Sequence, residues 1–203
     1  MNAQPLHEVD QHNAEDKLKE LILYVAARSA DDANFGATKL NKLLFYCDFR
    51  AVQEFGEPIT GVEYVHREAG PAPRRLLPVR RSMEEENEIL LWEKPLPGQY
   101  NPQERVVPRR KANLDLFSSK EIALIESVIQ ECWDKTGTQL SNETHDGVGW
   151  LLTNEGETMP YETALIQSVK VLDLDNGTSS APDRNHIPQR LRDYASELHP
   201  GRP

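Results

Sequence analysis

The segment "GATKLNKLLFYCDFRAVQEFG", residues 36–56, restricts the architecture more than any other stretch of the chain. At 100° per residue, Leu40, Leu43, Leu44, Cys47, Ala51 and Phe55 form one apolar face of a helix, and Phe45, Phe49 and Val52 form a second. A helix that is apolar on two sides must bury both, so it is expected to lie centrally, sandwiched between other elements. The same geometry collects Lys39, Lys42, Tyr46, Arg50 and Gln53 on one narrow polar stripe, the expected route of this helix to water. Lys39 and Lys42 then either snorkel past apolar neighbours or meet an acidic partner.

Around that helix the remaining pattern is mainly helical. Residues 14–28 repeat Leu18, Leu21, Ile22 and Val25 at helical spacing, with Asn13 placed to cap the first turn. Ser118 followed by Glu121 has capping-box spacing and opens a stripe of Ile122, Ile125, Ile129, Cys132 and Trp133. A shorter helix is expected over residues 74–85, interrupted or restricted at Pro78, and another through "QLSNET", capped by Thr138. The alternation of Val62, Tyr64 and His66 predicts a short strand before the "GPAP" turn. "EILLWEK" and "ERVVPRR", joined by "PLPGQYNPQ", predict a hairpin whose second strand lies at an edge because of Pro108. "HDGVGW" and "NEGETMPYE" read as a loop-rich closing section.

The expected fold is therefore a compact, mainly α domain built round a central helix, with a small β-hairpin or short antiparallel β element. The expected organisation is a flexible arm over residues 1–12, a domain over 13–168, and a linker and tail over 169–203. Within the tail, "DLDNGTSSAPDRN" has linker composition and "IPQRLRDYASEL" has the pattern of one short helix.

Charge narrows the partners. The 23 Lys and Arg against 33 Asp and Glu give a formal charge of −10, which opposes nucleic acid and anionic lipid and suits a basic protein face. No run approaches the roughly 18 consecutive apolar residues of a membrane span, and no leader pattern opens the chain. Cys47 and Cys132 fall within helical segments and read as small buried residues, consistent with a cytoplasmic location.

Candidate chemistry is sparse. His145 beside Asp146 invites an acid–base pair, and Glu63 is a more distant candidate carboxylate. Adjacent side chains diverge, however, and a histidine in such a bend more often serves the turn. The motifs of phosphate loops, dinucleotide folds, nucleophile elbows and zinc sites are missing, so no metal and no cofactor is expected. The dense basic clusters are Arg74, Arg75, Arg80 and Arg81, followed by Arg109, Arg110 and Lys111. They read either as solvated surface or as forks for carboxylate or phosphate.

"TKLNKLLFYCDF", the "GPAP" turn, the helix after "SSKE" and "LSNETHDGVGW", taken in this order, resemble the Panacea domain of SocA-type antitoxins over about residues 16–166. The matching positions are Lys39, Leu40, Lys42, Leu43, Leu44 and Tyr46, then Gly70 and Pro71, then Leu140, Ser141, Thr144, His145 and Trp150. One departure is visible: Gly149 stands where the family commonly has a proline before the tryptophan. The resemblance implies a non-enzymatic cytoplasmic antitoxin that binds a cognate protein toxin encoded beside it, or an adaptor that delivers the toxin to a cytosolic protease. Nucleic acid and membrane are not expected partners. Exposed segments on a rigid scaffold commonly carry recognition, so Arg74, Arg75, Arg80, Arg81, Trp92, Tyr100, Arg109 and Arg110 are the candidate toxin-binding residues, together with the tail. In this reading Thr144 and His145 hydrogen-bond the closing bend, and Trp150 fills a gap in the core.

Overall fold

The computed structural model describes residues 11–95 and 102–166. Tyr100 and the expected tail helix lie outside them. The helices are α1 (Gln11–Arg28), α2 (Ala37–Phe55), α3 (Leu76–Glu85), α4 (Ser119–Glu131), α5 (Gly137–His145) and α6 (Val148–Leu151). The strands are β1 (Tyr64–Val65), β2 (Ala72–Pro73), β3 (Ile89–Lys94), β4 (Gln103–Pro108) and β5 (Thr158–Met159), and a 3-10 turn, Tyr161–Leu165, follows.

The two-sided helix is the axis of the fold. α2 packs against α1, α4, α5, β2, β4 and the final 3-10 turn. Its first apolar face joins the main core with Leu21, Ile22, Val25, Ile125, Val128 and Leu140. Its second face, Phe49 and Val52, joins a smaller cluster containing Tyr64, Trp150 and Met159. Gly56 ends α2 in the left-handed conformation, φ +80°, with its N–H on the Val52 carbonyl.

Two antiparallel sheets flank this helix. In the first, β1 lies between β2 and β5, pairing Tyr64 with both Pro73 and Met159. The second is the expected hairpin, in which Leu90 faces Val107 and Trp92 faces Arg105. Arg109 donates its N–H to the Glu88 carbonyl, so the 88/109, 90/107 and 92/105 pairs exchange hydrogen bonds. Pro108 then stands where an N–H would point away from the partner strand, which is why this strand tolerates it.

Four local expectations are corrected. α1 is already helical at Gln11, so Asn13 lies inside it and is not the cap. Of the two effects expected of Pro78, interruption does not occur and restriction of the start does: α3 begins at Leu76, not Arg74, with Pro78 in its first turn, where the missing N–H has no helical acceptor. Thr136, not Thr138, caps α5, in a reciprocal capping box with Gln139. Trp150 lies in the short helix α6 and not in a loop.

A larger correction concerns the polar stripe of α2. Arg50 reaches Glu131 at the surface, but Lys39 and Lys42 are each only 1% exposed. Lys39 Nζ donates to the carbonyls of Trp133 (2.8 Å) and Lys135 (2.7 Å) just past α4, and meets Asp32 Oδ2 at 2.6 Å. The ammonium does not snorkel because carbonyls left over at a helix end, plus one carboxylate, replace its water. Arg105 is used in the same way: buried, it donates to the carbonyls of Ser29, Ala30 and Asp32 beyond α1. Removing one member of a buried pair leaves the other charge stranded, so Asp32→Ala is expected to cost about 3–5 kcal/mol in a denaturant titration.

Candidate functional site

Five of the motif positions, Lys42, Gly70, Pro71, Ser141 and Thr144, meet in a buried polar clasp between α2, the Gly70-Pro71 turn and α5. Lys42 Nζ donates to the carbonyls of Ala69 (2.5 Å) and Pro71 (3.4 Å). Ser141 Oγ donates to the same Ala69 carbonyl at 2.6 Å, and Thr144 Oγ1 donates one turn back to the Ser141 carbonyl at 2.8 Å. Gly70 adopts φ +89°, and a β-carbon there would stand 2.5 Å from Lys42 Nζ and 2.6 Å from Thr144 Oγ1. Glycine is required twice over, by backbone conformation and by the approach of the lysine.

Burial without a carboxylate partner pushes the Lys42 ammonium down to about 8 from its ordinary 10.5. A lysine whose folded pKa lies below its unfolded value takes up fewer protons in the folded state between the two. Stability therefore rises with pH across that window, as the buried charge is relieved.

A second buried ion holds the chain leaving α2. Asp48 accepts from the Thr60 N–H (2.7 Å), the Thr60 hydroxyl (2.5 Å) and the Tyr64 hydroxyl (2.9 Å). Desolvation raises its pKa, and the Thr60 bonds offset only part of that rise. Asp48 thus fixes the entry to β1, and β1 places His66.

His66 forms one side of an aromatic stack. Its ring lies 4.2 Å from Trp150, and His145 covers the opposite indole face at 4.1 Å. His145, expected to serve the closing bend, stacks on the indole here, while Asp146 is exposed at the end of α5.

Beside the stack opens a cleft of about 490 Å³, lined by residues including His66, Glu68, Thr153 and Glu155. His66 Nδ1 lies 3.1 Å from Thr153 Oγ1, whose single proton goes to the Gly149 carbonyl at 2.8 Å. The histidine must therefore donate to the hydroxyl, the reverse of what an activated nucleophile requires. Glu63, the other carboxylate considered, is held by Arg74 and Thr158.

The arginine candidates have separate fates. Arg80 is buried on Glu104, and Arg110 bridges Glu20 and Glu88. Arg74 pairs with Glu63 and Arg75 with Glu15 at the surface. Arg81 is exposed, Arg109 donates to the Asn87 amide oxygen, and Trp92 is half-exposed.

Sequence reasoning did not single out Asp32, Asp48, Thr60 or Arg105. Asp48 did leave a signal, since it falls on the Leu44–Val52 line of an apolar helix, where a carboxylate must find donors. Among the described residues, no helix is long and apolar enough to cross a membrane, and no group of side chains could hold a metal ion.

Lys39, Lys42, Ser141 and Thr144 are thus spent on the backbone carbonyls of the domain itself. The family model for the antitoxin SocA-like Panacea domain matches residues 40–151, and the chain belongs to that family. No curated protein and no solved structure matches it.

Two measurements test this site. Between pH 7 and 10 the parent chain should gain roughly 2 kcal/mol of stability relative to Lys42→Met, read from denaturant midpoints at each pH. Trp150→Ala should cost about 3–5 kcal/mol, as for a large buried ring, and should loosen β5 together with α6.

Proposed function

We propose that the chain is an antitoxin that neutralises a cognate protein toxin by direct binding, with the folded domain as scaffold and the exposed segments as the contact surface. The family supplies the antitoxin class and implies a toxin partner. One observation supports direct binding by the surface: the family positions lie inside the fold. Lys39, Leu40, Lys42, Leu43, Leu44, Gly70, Pro71, Leu140, Ser141, Thr144 and Trp150 are all buried, and Tyr46 and His145 are partly so. Residues used to hold the scaffold are not available to recognise a partner, so toxin identity must be read by other side chains.

The test is co-expression with the product of the neighbouring gene. That product alone should arrest growth, the pair should grow, and the two chains should copurify while the amount of toxin in the cell stays unchanged. Rescue accompanied by loss of the toxin would instead indicate delivery to a protease. A neighbour that is harmless by itself removes the basis of the reading.

A further inference from the structure

The hairpin presents an apolar strip that the fold leaves uncovered. Strand alternation puts Leu90, Trp92 and Lys94 on the same side as Val107 and Arg109. On the tip-ward half of this side, the segment after α1 covers β4. There Arg105 reaches the carbonyls of residues 29–32, and Gln103 lies against Gly36. Next to that cover, Leu90 is 38% exposed, Trp92 46% and Val107 38%. Leu90 and Val107 face each other directly, with Trp92 one pair further along.

The two ends of the strip are cationic. Lys94 makes no ion pair among the described residues, and Arg109 donates to an amide oxygen at 2.9 Å. Most other described cations sit on carboxylates, among them Arg28, Arg50, Arg74, Arg75, Arg80 and Arg110. Neither cation of the strip sits on a carboxylate among the described residues, so in a chain of charge −10 this side is locally opposite to the whole.

We infer that the outer side of the β3–β4 hairpin is the toxin-docking surface, and that it takes an apolar ridge flanked by carboxylates. This rests on the antitoxin reading above. Tryptophan in an apolar centre with a charged rim is the composition of an interface hot spot. A second copy fits poorly, because a two-fold axis through the strip sets cation against cation whichever way the strip is reversed. The chain's own residues 187–198 offer mixed charge, Arg190 and Arg192 against Asp193 and Glu197, with no net complement.

The experiment uses the full chain and the neighbouring gene product, with binding measured by titration calorimetry. Trp92→Ala and Leu90→Ser should each weaken the complex at least about tenfold while leaving thermal unfolding unchanged, since both side chains are substantially exposed. Lys94→Glu with Arg109→Glu should weaken it further at low salt than at high salt. Arg75→Ala, whose charge is used on Glu15, should bind within about twofold of the parent chain. Undiminished affinity in Trp92→Ala and Leu90→Ser, with the parent chain binding and neutralising, overturns the docking surface and leaves the antitoxin reading intact. A parent chain that neither binds nor rescues overturns both. A dimer that Trp92→Ala converts to monomer assigns the strip to a second copy, and tightening of the complex by Leu191→Ser assigns it to the chain's own C-terminal segment. Either result overturns the proposal.

Discussion

The Lys42 ammonium, enclosed without a carboxylate and held by the Ala69 and Pro71 carbonyls, is the constraint around which the rest is arranged. It fixes the Gly70-Pro71 turn to α2, and Ser141 fixes α5 to the same turn through the same carbonyl. Three segments distant in sequence are thereby tied at one point. A single buried charge is costly, so every group near it must be placed to offset that cost. Gly70 leaves no room for a side chain, and the turn keeps its carbonyls pointed inward.

This is one of three uses of the same physical device. Lys39 and Arg105 also bury a cation against carbonyls, in their cases those just beyond the ends of α4 and α1. Helix ends leave carbonyls without internal donors, and a cation is the side chain that can satisfy several at once. Asp48 is the mirror case, an anion collecting an N–H and two hydroxyls at the start of the first sheet. The acidic chain thus spends part of its limited basic complement on the interior, and its surface electrostatics are set by the cations that remain.

The helical architecture was legible in the sequence because it rests on periodicity. The two apolar faces of α2, the Ser118–Glu121 box and the two strands of the hairpin are local patterns with local causes. The clasp was legible only in part: the resemblance named its members, but the stripe geometry sent Lys39 and Lys42 to solvent. Helical angle alone places a residue on a side of its own helix, and what covers that side depends on segments about 30 to 100 residues away. The same limit hid Arg105, which reads as an ordinary strand position until the end of α1 is brought against it. The placement of Trp150 failed for a different reason: two glycines suggested a bend, whereas Gly147 and Gly149 lie at the start and inside of a one-turn helix.

Gly149 carries a consequence for exchange between relatives. A β-carbon at this position would stand 2.6 Å from Thr163 Oγ1 and 2.8 Å from Met159 Sδ, so the space a side chain would need is already occupied from β5 and the 3-10 turn beyond it. Gly149 is therefore matched to residues ten and fourteen positions later. Grafting the closing segment of another member onto this scaffold has to move both stretches together, and the natural unit of recombination here extends past Trp150 to Thr163.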